Sequence, residues 1–238
     1  MRKSVNISVE TSGRSGSVAI GIGGKILSET LFSGQLRHSA EIFTSIKELL
    51  SRYKHNVDEI ENIYCVIGPG SFTGIRISVT LAKMYALGNN AKVVGVNTSD
   101  ALALNASDFE KDTGTQVEKV ATVIDGKRGL FFVAIYEKQG EKWVKILDDK
   151  MIKSEDFVGE YCQNGPIWLL GEGLVYYKED FAGENVKFLP EEYWPARAKN
   201  VYFIGQQLAD ENCFDDPVKL VPFYLRGADA KPKKGLKS

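Results

Sequence analysis

Apolar residues at Val5, Ile7 and Val9 alternate with polar ones, the two-residue period of a half-buried strand. A Gly/Ser-rich turn leads into Ser17–Ile22, and Gly23-Gly24 joins that stretch to Ile26–Phe32 as a two-residue hairpin turn. Three consecutive antiparallel strands are expected. The period then becomes helical from about Leu36 to Tyr53. A buried strand follows at Ile63–Ile67, a second helix from about Phe72 to Leu87, a strand at Lys92–Val96 and a helix entered at Thr98 or Ser99. The predicted order is βββαβαβα.

Between Asn105 and Lys119 the pattern fades. Ser107, Asp108, Lys111, Asp112, Gly114 and Thr115 offer little to bury, so a linker is expected there. Beyond it the order recurs. Val120–Asp125 and Leu130–Tyr136 form a hairpin around Gly126–Gly129, and Trp143–Asp149 is a third strand. A helix near Ser154–Cys162, a strand at Ile167–Leu170, a short helix near Leu174–Phe181, a strand at Val186–Leu189 and a helix near Arg197–Ala209 complete it. The repeat is one of element order, not of sequence identity. It predicts an α/β protein with the duplicated two-lobed architecture of actin, sugar kinases and heat-shock ATPases (the ASKHA fold). The lobes are expected at 1–104 and 105–226, with the last helix completing the second lobe or returning to the first. Residues 227–238, carrying Lys231, Lys233, Lys234 and Lys237, are expected to form a flexible basic tail.

The 238 residues are 43% hydrophobic and 26% charged, which excludes collagen-like, low-complexity and disordered classes. Thirty basic against thirty-one acidic residues give a net charge of -1, so no overall field draws the chain to nucleic acid or an anionic membrane. Three scattered cysteines, Cys65, Cys162 and Cys213, suit neither a disulfide framework nor a spaced-pair zinc site. They suit small core hydrophobes in a reducing compartment. The longest apolar run, Leu130–Tyr136, is too short for a membrane span, and a cytoplasmic location is expected. Only His38 and His55 are present, and a whole helix separates them, so no two-histidine metal motif can form.

One segment is unusual. Gly68-Pro69-Gly70-Ser71-Phe72-Thr73-Gly74 lies between an apolar strand and an apolar helix, where backbone N–H groups and a helix start can face an anion. Its spacing matches neither the P-loop nor the dinucleotide fingerprint, and a purely structural strand-to-helix turn is an equal alternative. The full string GPGSFTGIRI, Gly68 to Ile77, closely resembles the signature of the bacterial TsaB (YeaZ) family of tRNA threonylcarbamoyladenosine biosynthesis proteins. The opening ISVETS with Ser17-Val18-Ala19 resembles that family's first phosphate-loop region, and His38-Ser39 its first-helix start. Val94 to Ala103, the hairpin Ile124 to Gly129 and the C-terminal PFYLR at Pro222 to Arg226 are similar too. The chain departs from the family pattern at Glu10, where Asp is usual, and at Ser78 and Lys127, where Gly and Arg are common.

The resemblance implies a non-catalytic relative of the catalytic TsaD paralogue that binds and activates it, in forming N6-threonylcarbamoyladenosine next to the anticodon of tRNAs reading A-starting codons. It implies a TsaE-type ATPase joining the pair, a homodimer without the partner, and tRNA contact only through the complex. No cofactor is firmly implied. ATP or ADP with magnesium at a subunit junction would be met by Glu10, Thr11, Ser12, Gly68, Gly70, Ser71, Thr73, Gly74 and Arg76. The longer carboxylate of Glu10 would displace a magnesium contact that tolerates displacement poorly. A free-standing ATP-dependent phosphotransferase or hydrolase of the same fold is the alternative reading.

The first two helices carry more apolar surface than one core needs. At about 100° per residue, the first spreads Leu36, Ala40, Phe43, Ile46 and Leu50 over a wide arc. The second is apolar on nearly every side, through Ile75, Val79, Ala82, Met84 and Ala86, with Arg76, Thr80 and Lys83 on one stripe. Either other parts of the chain cover both faces, or these ten residues form a partner interface, as the resemblance implies. Asp125, Lys127 and Arg128 could touch phosphate or simply make a charged hairpin tip, and Gly171-Glu172-Gly173 is either a second phosphate-facing loop or a turn. No Ser/His/Asp set or close carboxylate pair can be assembled.

Overall fold

The structure, a computed structural model, describes residues 4–33, 38–163 and 165–225. Leu36, Arg226 and the expected basic tail at 227–238 lie outside the described residues. Three antiparallel strands, β1 (Val5–Glu10), β2 (Ser17–Ile22) and β3 (Lys25–Leu31), open the chain, followed by α1 (His38–Arg52) and β4 (Ile60–Gly68). Then come α2 (Phe72–Asn89), β5 (Lys92–Asn97), α3 (Thr98–Ala103) and α4 (Asn105–Thr113). The second half contains β6 (Lys119–Asp125), β7 (Phe131–Gln139), β8 (Lys142–Ile152), α5 (Ser154–Tyr161), β9 (Ile167–Leu170), β10 (Val186–Phe188) and α6 (Ala198–Asp210).

The two five-stranded sheets have the same plan. Their orders are β3-β2-β1-β4-β5 and β8-β7-β6-β9-β10, with two antiparallel and two parallel pairings in each. This is the two-lobed α/β fold expected from the element order. Two expectations fail. The supposed linker holds α4, because Asn105, Ala106 and Phe109 recur at helical spacing and are buried, Phe109 against the ring of Trp168. The short helix expected at Leu174–Phe181 is two 3₁₀ turns, Glu172–Leu174 and Lys178–Phe181, which suits a stretch too short to propagate an α-helix.

The first sheet is covered on both faces. Val5, Ile7, Val9, Ile63 and Cys65 meet α1 and α2 in one core, while Tyr64, Val66, Val94 and Val96 meet α3 and α6 in another. The polar residues that alternate along β1 therefore face α6 and not water. Asn6 donates to Gln206 Oε1 at 2.8 Å, and Ser8 Oγ donates to the Ala198 carbonyl at 2.7 Å. Buried polar groups must find partners, and α6 supplies them. Gly205 lets α6 approach so closely that a Cβ there would lie 2.3 Å from the Tyr64 ring. The last helix thus packs on the first sheet. The second sheet buries Val120, Phe131, Val133, Phe157, Phe181 and their neighbours in a separate core.

Candidate functional site

A cleft of about 900 Å³ opens between the two halves. The turn after β1 (Ser12, Gly13, Arg14), the glycine loop and start of α2, the β6–β7 hairpin tip, the turn after β9 and the segment Phe223–Leu225 line it. The duplicated plan brings both glycine-rich turns to this one place. Of the predicted anion-binding set, Ser12, Gly70, Ser71 and Thr73 line the cleft, whereas Glu10, Thr11, Gly68, Gly74 and Arg76 do not.

Local packing explains the difference. Thr11 Oγ1 donates to the Gly74 carbonyl at 2.7 Å, and the Ser71 N–H donates to the Ser12 carbonyl at 2.7 Å. A Cβ on Gly74 would lie 1.8 Å from the Thr11 carbonyl oxygen, so the helix can start against β1 only with glycine there. The Ser71 side chain accepts from the Gly74 N–H at 3.3 Å and caps α2. These groups hold the first turn to the second and are spent on the chain itself. Arg76 lies outside, its guanidinium 3.6 Å from the Phe72 ring centroid and its Nε donating to Tyr224 Oη at 2.9 Å.

Glu10 points inward. Its Oε1 accepts from the Ser12 N–H at 2.7 Å and from Ser12 Oγ, while Oε2 is buried without a hydrogen-bond partner. Burial pushes its pKa up to about 8 against the pull of the Ser12 bonds, which favours the protonated form at neutral pH. A magnesium ion needs accessible oxygen donors, and Glu10 is fully buried and outside the lining of the cleft. The residues present do not fit magnesium at Glu10.

Residues outside the predicted set shape the cleft. Glu172 reaches across from the turn after β9 and accepts from the backbone N–H of Arg14 and, at 3.4 Å, from that of Ser15. Desolvation raises its pKa, and the two amides and the Arg14 guanidinium pull it down. Arg14 itself lies 4.9 Å from the ring centroid of Tyr176. At the hairpin tip, Asp125 accepts from the Lys127 N–H at 2.7 Å and from Lys127 Nζ at 2.5 Å, and Lys127 and Arg128 both have positive φ. Gly171 and Glu172 could be noticed in the sequence, but nothing local names Arg14 as their partner.

The expected partner face is also revised. Ile46, Leu50, Ile75, Val79 and Ala82 are buried in the chain's own first core, because α1 and α2 lay these residues on the sheet. They are unavailable to a partner. Ala40, Phe43 and Met84 are exposed, Ala86 is half-buried, and Leu87, not among the predicted residues, is 79% exposed. The flank of α2 nearer the C-terminus is covered by the chain, since Lys83 Nζ donates to the Val218 carbonyl at 3.3 Å and Leu220 is buried in the first core.

Fold and cleft together define a two-lobed α/β protein of the ASKHA type. The YeaZ structure from Pseudomonas aeruginosa shares this fold with a TM-score of 0.79 and 20% identity, over 93% of this chain and 100% of that one. The family described as TsaD, tRNA N6-adenosine threonylcarbamoyltransferase, matches residues 25–216, and the chain belongs to it. Within that family its similarity is to TsaB (YeaZ) proteins. The "tRNA threonylcarbamoyladenosine biosynthesis protein TsaB" of Bacillus subtilis is 24% identical over 231 residues, 95% of this chain and 96% of the relative. The protein of the same name from Haemophilus influenzae is 24% identical over 81% of both chains.

Proposed function

We propose that this chain is a non-catalytic subunit of the machinery that forms N6-threonylcarbamoyladenosine on tRNA, and that it binds and activates a TsaD-type partner through α1 and α2. The observation that carries this reading is the unpaired apolar surface on these two touching helices. Phe43 and Met84 are 51% and 53% exposed, with Ala40 and Leu87 beside them in the sequence pattern, while the opposite sides of both helices fill the core. Exposed large apolar side chains on adjoining helices suit a helix-to-helix interface. The names of its relatives support the tRNA role. The same face would pair two copies in the partner's absence, a TsaE-type ATPase would join the heterodimer, and tRNA would be held mainly by other subunits. The setting is cytoplasmic; no helix among the described residues is long and apolar enough to cross a membrane.

The enclosed, protonated Glu10 does not favour a free-standing ATP-dependent enzyme. The experiment is to reconstitute the cognate proteins with tRNA and detect threonylcarbamoyladenosine by mass spectrometry, with and without this chain. Product that depends on this chain and survives Glu10→Gln supports an accessory subunit acting by contact. Met84→Glu buries a charge at the junction and is expected to weaken association at least tenfold while leaving the far-ultraviolet circular dichroism unchanged. Full activity without this chain would refute the reading.

A further inference from the structure

The backbone amides of Arg14 and Ser15 both donate to one carboxylate at the cleft, Arg14 to its Oε2 and Ser15 to its Oε1 at 3.4 Å. It belongs to Glu172, 158 residues away along the chain from Arg14. Consecutive amides converging on one oxyanion form the kind of concave site that binds phosphate or carboxylate groups. Both sides of the contact are shaped for it. A Cβ on Gly13 would lie 2.5 Å from Glu172 Oε2, so glycine leaves the room that the carboxylate fills. On the other side, Gly171 has φ +129° and a Cβ there would lie 2.2 Å from the Val123 carbonyl oxygen, while one on Gly173 would lie 2.8 Å from the same atom. These two glycines press the turn onto β6 and push Glu172 out over the amides. The Arg14 guanidinium adds an electrostatic pull on the carboxylate and lies over Tyr176, closing the side of the pocket.

We propose that the turn at residues 13–15 is an oxyanion-binding site whose resident ligand is the protein's own Glu172. The carboxylate takes the place of a phosphoryl or pyrophosphoryl group. It bridges the two halves of the molecule without an external ligand and closes this part of the cleft to phosphate-bearing molecules. Removing it opens a site for that chemistry. The inference stands on the cleft alone and is independent of docking by α1 and α2.

The test is titration of the full chain and of Glu172→Ala with pyrophosphate and with ADP, followed by calorimetry and by the amide resonances of Gly13, Arg14 and Ser15. Circular dichroism and the unfolding midpoint establish that the variant is folded; Glu172→Gln, which keeps an acceptor but loses the charge, serves if it is not. The expected result is at least tenfold tighter binding of pyrophosphate to the variant than to the parent chain, with shifts at these three residues. Tighter binding of ADP than of pyrophosphate identifies a nucleotide stacked on the cleft's aromatic rings, and equal binding a bare oxyanion. Equal affinity in parent and variant, or no shift in either, overturns the proposal.

Discussion

Glu10 shows how much one side chain's surroundings decide. A carboxyl pushed up to about 8 from an ordinary 4.5 holds its proton in the folded chain through a range where the unfolded chain has lost it. At this group the folded state then binds more protons than the unfolded state, so the contribution of Glu10 to stability falls as pH rises from 4.5 to about 8 and is level outside that window. The slope within it is up to about 1.4 kcal/mol per pH unit. Glu10→Gln keeps an oxygen to accept from Ser12 and cannot ionise. Thermal unfolding is expected to show little difference between variant and parent at pH 4.5, and a variant that is increasingly the more stable towards pH 8. A difference between variant and parent that stays constant over that range would contradict the enclosed group with its raised pKa. The sequence places Glu10 at the end of β1, on the same side as Asn6 and Ser8. It cannot show that α6 closes over this side, because the covering residues Ala198 and Gln206 come from the far end of the chain.

Among the elements, α4 carries the clearest lesson. Its composition is that of a loop, yet Asn105 ties the helix to the stretch 193–200 by three hydrogen bonds. Its Nδ2 donates to the carbonyls of Tyr193 and Pro195, both at 2.8 Å, and its Oδ1 accepts from Asn200 at 2.7 Å. Asn105→Ala leaves two part-buried carbonyls without this donor and Asn200 without this acceptor, and a loss of about 2 kcal/mol is expected, read as a lower urea midpoint at unchanged m-value. A change within about 0.5 kcal/mol would show these bonds to be replaceable by water. The strands and longer helices were legible because each repeats its period over many residues. The 3₁₀ turns after β9 and the helix at Asn105–Thr113 were not, since they rest on a few buried positions whose partners lie elsewhere. The same limit applies to α1 and α2. Periodicity marks Ile46, Leu50, Ile75, Val79 and Ala82 as apolar along with Phe43 and Met84, but only packing separates core from surface.

At the scale of the whole molecule, a charged cluster joins the two sheets away from the glycine turns. Lys145 of β8 lies 2.8 Å from Asp100 and 2.9 Å from Asp149; Tyr136 Oη donates to Asp100 at 2.7 Å. Ser99 Oγ and Asn97 Nδ2 donate to Asp149 at 2.5 Å and 2.8 Å, so the end of β5 and the start of α3 grip the edge strand of the second sheet. The Asp149 side chain is 4% exposed, and Lys145→Met strands it without its cation. A loss of about 3 kcal/mol is expected. Combining Lys145→Met with Asp149→Asn should recover part of it, a non-additivity that a double-mutant cycle in chemical denaturation measures. Strict additivity would mean that the two groups act apart.

From its own pattern the sequence determined the strands, their grouping into two sets of three followed by crossovers, and hence the duplicated α/β plan. These follow from local period and turn chemistry, which neighbouring residues carry. Its glycine-rich turns were visible too, but whether each faces an anion or another part of the chain stayed open. Only the tertiary structure decided what these glycines meet: the Thr11 carbonyl for Gly74, and the Glu172 carboxylate for Gly13. It alone decided that α6 returns to the first sheet and that Glu10 faces inward. Each of these depends on residues more than a hundred positions apart or on which face a neighbour covers, and no local period encodes such a meeting.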